Sequence, residues 1–264
     1  MAYYLKIVFL TAALLLHAAL AAVGKILFIF SRRLCILYLA NINKIVCALF
    51  CVILGISIRG PKKRYVQKNP VLYVGNHLSY LDVLAIGRCY PTIFVTSVDM
   101  GERKNEGWIT SNAGSVYVER RREKLTFNIL RKNIESMKEI ILKDCPLCIF
   151  PEATSANGEK ELIFFSSLFS SVEYTETTIV PFVIKYISIN KENVTKENES
   201  IVYFYRGQRF IPHIKRLLHY KNIKIEISIL PWFSAKNKNR KEICDTCKKK
   251  IAGKIMNKNA SGFA

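Results

Sequence analysis

The chain has 264 residues and a formal net charge of +20 at pH 7, and 50% of its residues are hydrophobic. This length allows one main domain with an appendage. The charge predicts a polyanionic partner, either nucleic acid or an anionic membrane. The sequence lacks the pattern typical of nucleic-acid modules, in which basic residues alternate with exposed aromatic residues. The apolar segments described next favour the membrane as the partner and argue against nucleic acid.

Residues 1–58 are predicted to form a helical membrane anchor. Residues 7–24 are apolar except for Thr11 and His17, and a helix of this length, at ~1.5 Å per residue, crosses most of a ~30 Å hydrocarbon layer. A cleaved signal peptide is the alternative, but the apolar character resumes at residues 26–30. Residues 45–57 are too short to span and are predicted to lie at the interface. Two arrangements stay open: one span plus an interfacial helix, or a hairpin that enters one leaflet.

Basic residues follow the first apolar segment and predict its orientation. Lys25, Arg32, Arg33 and Lys44 place its carboxyl side in the cytoplasm. The domain after the anchor is therefore expected on the cytoplasmic face of the cell inner membrane.

Eight cysteines include two C-x2-C pairs, Cys145 with Cys148 and Cys244 with Cys247. Such pairs can form a zinc site. Here Cys148 belongs to an apolar run, and Cys247 shares one side of a basic helix with Ile243 and Ile251. Buried free thiols in a reducing compartment are the favoured interpretation, and we predict no metal.

Residues 59–235 alternate between strand and helix patterns, which predicts an α/β domain with a central, mostly parallel sheet flanked by helices. Helices are predicted at 81–89, at 103–112 and, with clear amphipathic spacing, around 127–141. Residues 236–264 are predicted to form a basic helix and tail. The predicted strands cover residues 71–74, 92–97, 115–119, 147–150, 178–186, 201–205 and 223–229.

A histidine and an aspartate follow the first strand of this domain. His77 comes after residues 71–74 and Gly75, and Asp82 lies in the helix that begins nearby. If the chain turns into that helix, the carboxylate can hold one ring nitrogen and leave the other to take a proton from a hydroxyl. The structural alternative is a histidine satisfied in a turn and an aspartate that caps the helix.

Four blocks occur in a characteristic order, at residues 76–82, 114–120, 150–155 and 179–184. Together they resemble the glycerolipid acyltransferase family, over about residues 60–232. The resemblance implies acyl transfer from acyl-CoA or acyl carrier protein to the free hydroxyl of a lysolipid, and it implies no cofactor. The default acceptor is 1-acylglycerol-3-phosphate, which would give phosphatidic acid. His77 would be the base and Asp82 its partner, and Ser79 and Cys89 would have no covalent role.

The resemblance also implies the binding residues. Arg120, at the end of a strand, would grip the phosphate of the acceptor. Glu152 and Thr154 would contribute to acceptor binding, although Glu152 could instead form a salt bridge with Arg120. Asn76, Gly114 and Pro151 complete the predicted binding set. Pro181 would lie near the acyl donor, or it simply marks a strand edge or a bulge.

Two positions depart from the family pattern. Ala153 stands where the family usually has glycine, which costs on the order of 1 kcal/mol if φ is positive there. Residues 205–217 look like the branch that includes lyso-ornithine lipid acyltransferases, but Gln208 replaces the usual aspartate.

An alternative function of a different class is also open. In it the protein has no catalytic activity and binds membrane or nucleic acid through the lysine-rich tail.

Overall fold

The computed structural model describes residues 2–60, 70–152, 163–205 and 207–260. It begins with two helices, α1 (Ala2–Phe30) and α2 (Arg32–Leu54), which fold back on each other around Ser31. Both are long and apolar enough to cross a membrane by length and composition. The prediction that the second segment is too short was wrong, because α2 has 23 residues. Polar residues in its first half interrupt the apolar run but not the helix.

A sheet follows, and the described residues form nine strands in it: β1 (Ile56–Arg59), β2 (Val71–Gly75), β3 (Ile93–Ser97), β4 (Val116–Val118), β5 (Leu147–Ile149), β6 (Thr178–Ile189), β7 (Glu192–Asn193), β8 (Ile223–Ile229) and β9 (Phe233–Ser234). The path of the sheet is β1-β8-β6-β2-β5-β3-β4, and β7 and β9 pair with β6. The strands β6, β2, β5, β3 and β4 are mutually parallel, as are β1 and β8, while β8 runs antiparallel to β6. The predicted mostly parallel sheet is confirmed.

Helices cover both faces of the sheet. In β2, Tyr73 points into a core that includes Leu81 from the first helix after β2, while Leu72 points into a second core with Met137 and Ile243. This alternation follows from the two-residue period of a strand. The remaining helices are α3 (Leu81–Cys89), α4 (Val98–Gly101), α5 (Lys104–Asn112), α6 (Phe127–Leu142), α7 (Phe210–Leu217) and α8 (Arg240–Ala260), with 3₁₀ turns at Arg122–Lys124, Ser166–Ser171 and Glu199–Ile201.

The structure revises both predicted domain boundaries. β1 lies within the range assigned to the anchor, yet it pairs with β8 and belongs to the sheet. α8 buries Ile243 and Ile251 in the second core, so it is part of the domain. The predicted strand at 201–205 was wrong, because Phe204 donates its backbone N–H to Leu78 and the segment runs beside the loop after β2.

The cysteines are free, and both C-x2-C pairs are buried. Cys145 and Cys148 lie in hydrophobic cores on opposite faces of the sheet. Cys244 and Cys247 pack with Cys145 in the second core. The members of the first pair therefore point away from each other.

Gly75 ends β2 beneath the ring of Phe182, and a Cβ at position 75 would overlap that ring. Phe182 is fully buried and packs edge-on against Phe150, so it has little room to move. We predict that Gly75→Ala lowers the free energy of unfolding by about 1–3 kcal/mol through overpacking, measured by thermal unfolding in detergent.

Gly253→Ala is the matched control, because among the described residues no atom apart from the adjoining part of α8 itself lies within 4 Å of a Cβ at this position. Alanine is a better helix former than glycine, so this variant should unfold at the same temperature or higher. Equal effects of the two substitutions would contradict the packing argument.

Candidate active site

The site is built at the carboxyl ends of four neighbouring parallel strands, β2, β5, β3 and β4. This is the edge at which open α/β sheets bind ligands. His77 follows β2, Glu152 follows β5, Asp99 follows β3 and Arg120 follows β4. β2 and β4 are three strand spacings apart, which places these side chains across roughly 14 Å of one sheet edge.

His77 and Asp82 are paired as predicted, with Nδ1 2.9 Å from Oδ2. The same carboxylate oxygen accepts the backbone N–H groups of Leu78 and Ser79, at 2.6 and 2.8 Å. Its other oxygen accepts the Tyr186 hydroxyl at 2.7 Å. A carboxylate only accepts hydrogen bonds, so Nδ1 carries a proton and Nε2 is left as the acceptor.

The His77 ring is held from the side as well. It stacks on Phe150, with 4.4 Å between ring centroids and an angle of 19° between planes. Phe150 in turn packs edge-on against Phe182, which lies over Gly75. The orientation of the imidazole therefore depends on an aromatic layer supported by the sheet.

Glu152 holds the backbone of the loop between β2 and α3, at residues 76–80. Its Oε1 accepts the backbone N–H of His77 at 3.0 Å. Burial raises the pKa of Glu152 to about 7, against the opposing effect of this hydrogen bond and of the His77 ring. Pro151 anchors the turn, because its carbonyl accepts the N–H of Phe165 at 2.9 Å. Thr154 and Ala153 lie outside the described residues.

Arg120 is paired with Asp99 and not with Glu152. Its Nε and Nη2 donate to the two oxygens of Asp99 at 3.2 and 2.9 Å. The alternative prediction, a salt bridge between Arg120 and Glu152, is therefore wrong. The reason is the strand order, since β3 is the direct neighbour of β4 whereas β5 is one strand further away.

Two predicted binding residues have structural roles. Asn76 is buried and pairs with the backbone of Ile184, donating to its carbonyl at 3.1 Å and accepting its N–H at 2.8 Å. Its side chain thereby continues the pairing of β2 with β6. Gly114 lies before β4, at the sheet edge opposite His77, with φ of 66° and Leu39 2.8 Å from where a Cβ would be.

Pro181 lies buried inside β6, level with Val74 of β2. Its carbonyl accepts the N–H of Leu230 at 2.9 Å, in the gap between the pairing of β6 with β9 and its pairing with β8. The N–H that proline lacks would point to the same side, where the ladder is already broken. The sheet therefore accommodates this proline at a break between two ladders, and its place near the acyl donor stays a prediction.

Tyr186, Phe150 and Asp99 were missed as site residues. Tyr186 is 104 positions from Asp82, so no local spacing could connect them. The available signal was that Tyr186 lies two residues after the apolar Ile184 and so shares its buried face of β6. Phe150 stood inside a recognised block but was interpreted only as part of a strand.

The helix α7, with the residues just before it, is anchored beside the loop between β2 and α3. The Tyr80 hydroxyl lies 3.0 Å from Nδ1 of His213, and Nε2 of His213 lies 3.1 Å from the carbonyl of Tyr203. Burial lowers the pKa of His213 to about 4, so this ring is neutral, with its proton on Nε2. Gln208 is half-buried nearby in sequence, and its Oε1 has no hydrogen-bond partner among the described residues.

Comparison with known proteins places these features in context. The model of the Acyltransferase family matches residues 56–185. The lyso-ornithine lipid O-acyltransferase of Pseudomonas aeruginosa is 24% identical over 176 residues, which cover 67% of this chain and 64% of the relative. The 1-acyl-sn-glycerol-3-phosphate acyltransferase of Neisseria gonorrhoeae is 26% identical over 143 residues, covering 53% and 52%. The chain thus spans less than two thirds of the length of these relatives.

A solved structure shares the fold. The crystal structure of the 1-acyl-sn-glycerophosphate (LPA) acyltransferase, PlsC, from Thermotoga maritima matches with a TM-score of 0.55. The match covers 98% of both chains at 14% sequence identity. At this identity the likeness shows the fold alone.

The Tyr186 hydroxyl generates a prediction for the site. We expect Tyr186→Phe to lower the free energy of unfolding by about 1–3 kcal/mol, because it leaves a buried carboxylate oxygen without its donor. Denaturant unfolding in detergent measures this effect.

Tyr203→Phe serves as the control, since its ring packs against Tyr186 at 5.4 Å but its hydroxyl is not one of the donors to Asp82 described above. A Tyr186→Phe variant as stable as Tyr203→Phe would show that Asp82 does not need this hydrogen bond.

Proposed function

The chain belongs to the acyltransferase family, and from this premise we propose that it transfers a fatty acyl group to the hydroxyl of a lysolipid. The observation that carries the proposal is the pairing of His77 with a buried Asp82 at the carboxyl edge of the sheet. Arg120 and Glu152 lie at the same edge. A general base and a cation on one edge suit a hydroxyl acceptor with a charged headgroup.

The reaction follows from the protonation states of the pair. Nε2 of His77 takes the proton of the acceptor hydroxyl while the oxygen attacks the thioester carbonyl. The new C–O bond forms, the C–S bond breaks, and the proton passes to the departing thiolate. Asp82 stabilises the transient imidazolium, as the carboxylate does in a catalytic triad. The donor is acyl-CoA or acyl carrier protein, and no cofactor enters the scheme.

The acceptor is a lysolipid with an anionic group for Arg120. The relatives support two headgroups, because some are named for 1-acyl-sn-glycerol-3-phosphate and others for lyso-ornithine lipid. The first gives phosphatidic acid and is the default of the family. In the second, the anion on Arg120 is a carboxylate.

We further propose that the helical hairpin enters one leaflet without crossing the bilayer. At the start of α1, Tyr3 stacks on His219 with ring centroids 4.5 Å apart. Just after its end, Arg33 donates to Asp144 at 3.0 Å, and Arg32 pairs with Glu139. A helix of 29 residues is about 43 Å long. If α1 crossed the membrane, its two ends would lie on opposite sides, yet both contact the same domain.

The outer face of α1 supplies the apolar surface for this arrangement. Its exposed large apolar side chains run along its whole length, and they are Leu5, Val8, Phe9, Leu15, Leu16, Val23, Ile26, Phe28, Ile29 and Phe30. A helix in the plane of the interface buries one such face in lipid. The basic residues of the hairpin favour the cytoplasmic face of the inner membrane for the domain.

The catalytic proposal predicts the effect of removing the base. His77→Ala should lower acyl transfer by about 10²–10⁴-fold, because general-base catalysis contributes this much. Transfer from labelled acyl-CoA to a lysolipid panel measures it, with membrane association checked by sedimentation. His219→Ala, which removes an exposed histidine at α1, is the control. Full activity in His77→Ala would overturn the mechanism.

The membrane proposal predicts the topology of the hairpin. Single cysteines placed by Tyr4→Cys and Ser31→Cys should react with a membrane-impermeant maleimide from the same side of sealed vesicles. Lys249→Cys, exposed on α8, marks the side of the domain, and the wild-type protein gives the background from native thiols. Reaction of positions 4 and 31 from opposite sides would show that α1 spans the membrane.

A further inference from the structure

Arg120 has a carboxylate bound to it before any ligand arrives. β3 and β4 are parallel neighbours, with Ser97 level with Val118, so the short helix α4 that follows β3 places Asp99 beside Arg120. The Arg120 guanidinium donates two hydrogen bonds to the Asp99 carboxylate, from Nε at 3.2 Å and from Nη2 at 2.9 Å. The Asp99 side chain is 24% exposed and the Arg120 side chain 28%. Burial alone would raise the pKa of Asp99, but hydrogen bonds from Arg120 and Ser97 outweigh it and lower the pKa. The carboxylate is therefore charged.

The next cation along the strand end is neutralised as well. Arg121 donates to both oxygens of Glu119, at 2.9 and 2.6 Å, and to Glu102 at 3.3 Å. The hydrogen bonds from Arg121 lower the pKa of Glu119 to about 2. This ion-paired cluster thus holds two positive and three negative side chains, a sum of −1. It carries no positive surplus, although the whole chain has a net charge of +20.

These charges distinguish between acceptor headgroups. A guanidinium has five N–H donors, and Asp99 uses two of them, so an anion can still bind to the others. A phosphomonoester, with close to two negative charges, would meet the Asp99 carboxylate at the same place. A headgroup with one anion and one ammonium group would complement both members of the pair.

We propose that Asp99 and Arg120 together recognise the headgroup and select a zwitterionic lysolipid. The anion of the acceptor, a carboxylate or a phosphodiester, binds Arg120, and its ammonium group pairs with Asp99. This inference rests on the proposed acyl transfer and specifies the acceptor class. Asp99 is a specificity determinant in this scheme and takes no part in the chemical step.

The test compares acceptors of different charge with the full-length protein in vesicles. The acceptors are lyso-ornithine lipid, lysophosphatidylethanolamine and 1-acylglycerol-3-phosphate, each offered with the same acyl-CoA. We expect the wild-type kcat/KM to be roughly tenfold or more higher for at least one zwitterionic acceptor than for 1-acylglycerol-3-phosphate. Which of the two zwitterions is used shows whether the anion is a carboxylate or a phosphodiester.

The variants separate recognition from folding. Asp99→Asn should raise KM for the zwitterion and raise kcat/KM for 1-acylglycerol-3-phosphate, reversing the preference, while Asp99→Glu should retain it. Glu102→Gln removes a carboxylate of the same cluster that contacts Arg121 and should leave the preference unchanged. Equal losses for all acceptors in Asp99→Asn would indicate a merely structural role and overturn the proposal.

The wild-type preference decides the matter even if Asp99→Asn does not fold. Transfer to 1-acylglycerol-3-phosphate in preference to both zwitterions would overturn the inference and leave the proposed function intact. Absence of transfer to every acceptor, with the same result for His77→Ala, would instead remove the proposed function itself.

Discussion

The site depends on one buried carboxylate. Asp82 is completely inaccessible to solvent, and an ion in such a place is costly unless donors surround it. Two backbone N–H groups, the Tyr186 hydroxyl and the His77 ring provide them. The loop between β2 and α3 must adopt the conformation that brings these donors together. The hydrogen bonds to Asp82 thus both stabilise the loop and orient the imidazole.

The parallel sheet assembles the rest of the site from distant parts of the sequence. Each of four adjacent strands contributes the residues that follow its carboxyl end, so neighbours in the site come from different segments of the chain. Beneath them, the ring of Phe182 fills the space that Gly75 leaves and supports Phe150 against His77. A small residue in one strand therefore determines where an aromatic ring from another strand can lie. The orientation of the His77 ring is in this sense a property of the core.

Sequence reasoning succeeded where the interactions are local. The helix at 81–89 and the pairing of His77 with Asp82 depend on residues within one or two turns of each other. It failed where tertiary contacts decide. Arg120 pairs with Asp99 because of the strand order, and the side chain of Asn76 forms hydrogen bonds with the backbone of β6. The segment at 201–205 is not a strand and lies against the loop after β2. None of these outcomes has a signal in nearby residues.

The junction between the hairpin and the sheet contains a single residue. Gly55, with φ of 73°, separates α2 from β1, and its carbonyl accepts the N–H of Ile223 at 2.9 Å, so the chain passes directly from anchor to sheet edge without slack. A junction this short holds the hairpin rigidly against the sheet, whereas a flexible linker would let the two move apart. With the hairpin in one leaflet, as proposed, the imidazole keeps a constant height above the lipid tails. Acceptor molecules would then reach it by lateral diffusion, and turnover would respond to lipid packing density more than to concentration in bulk water.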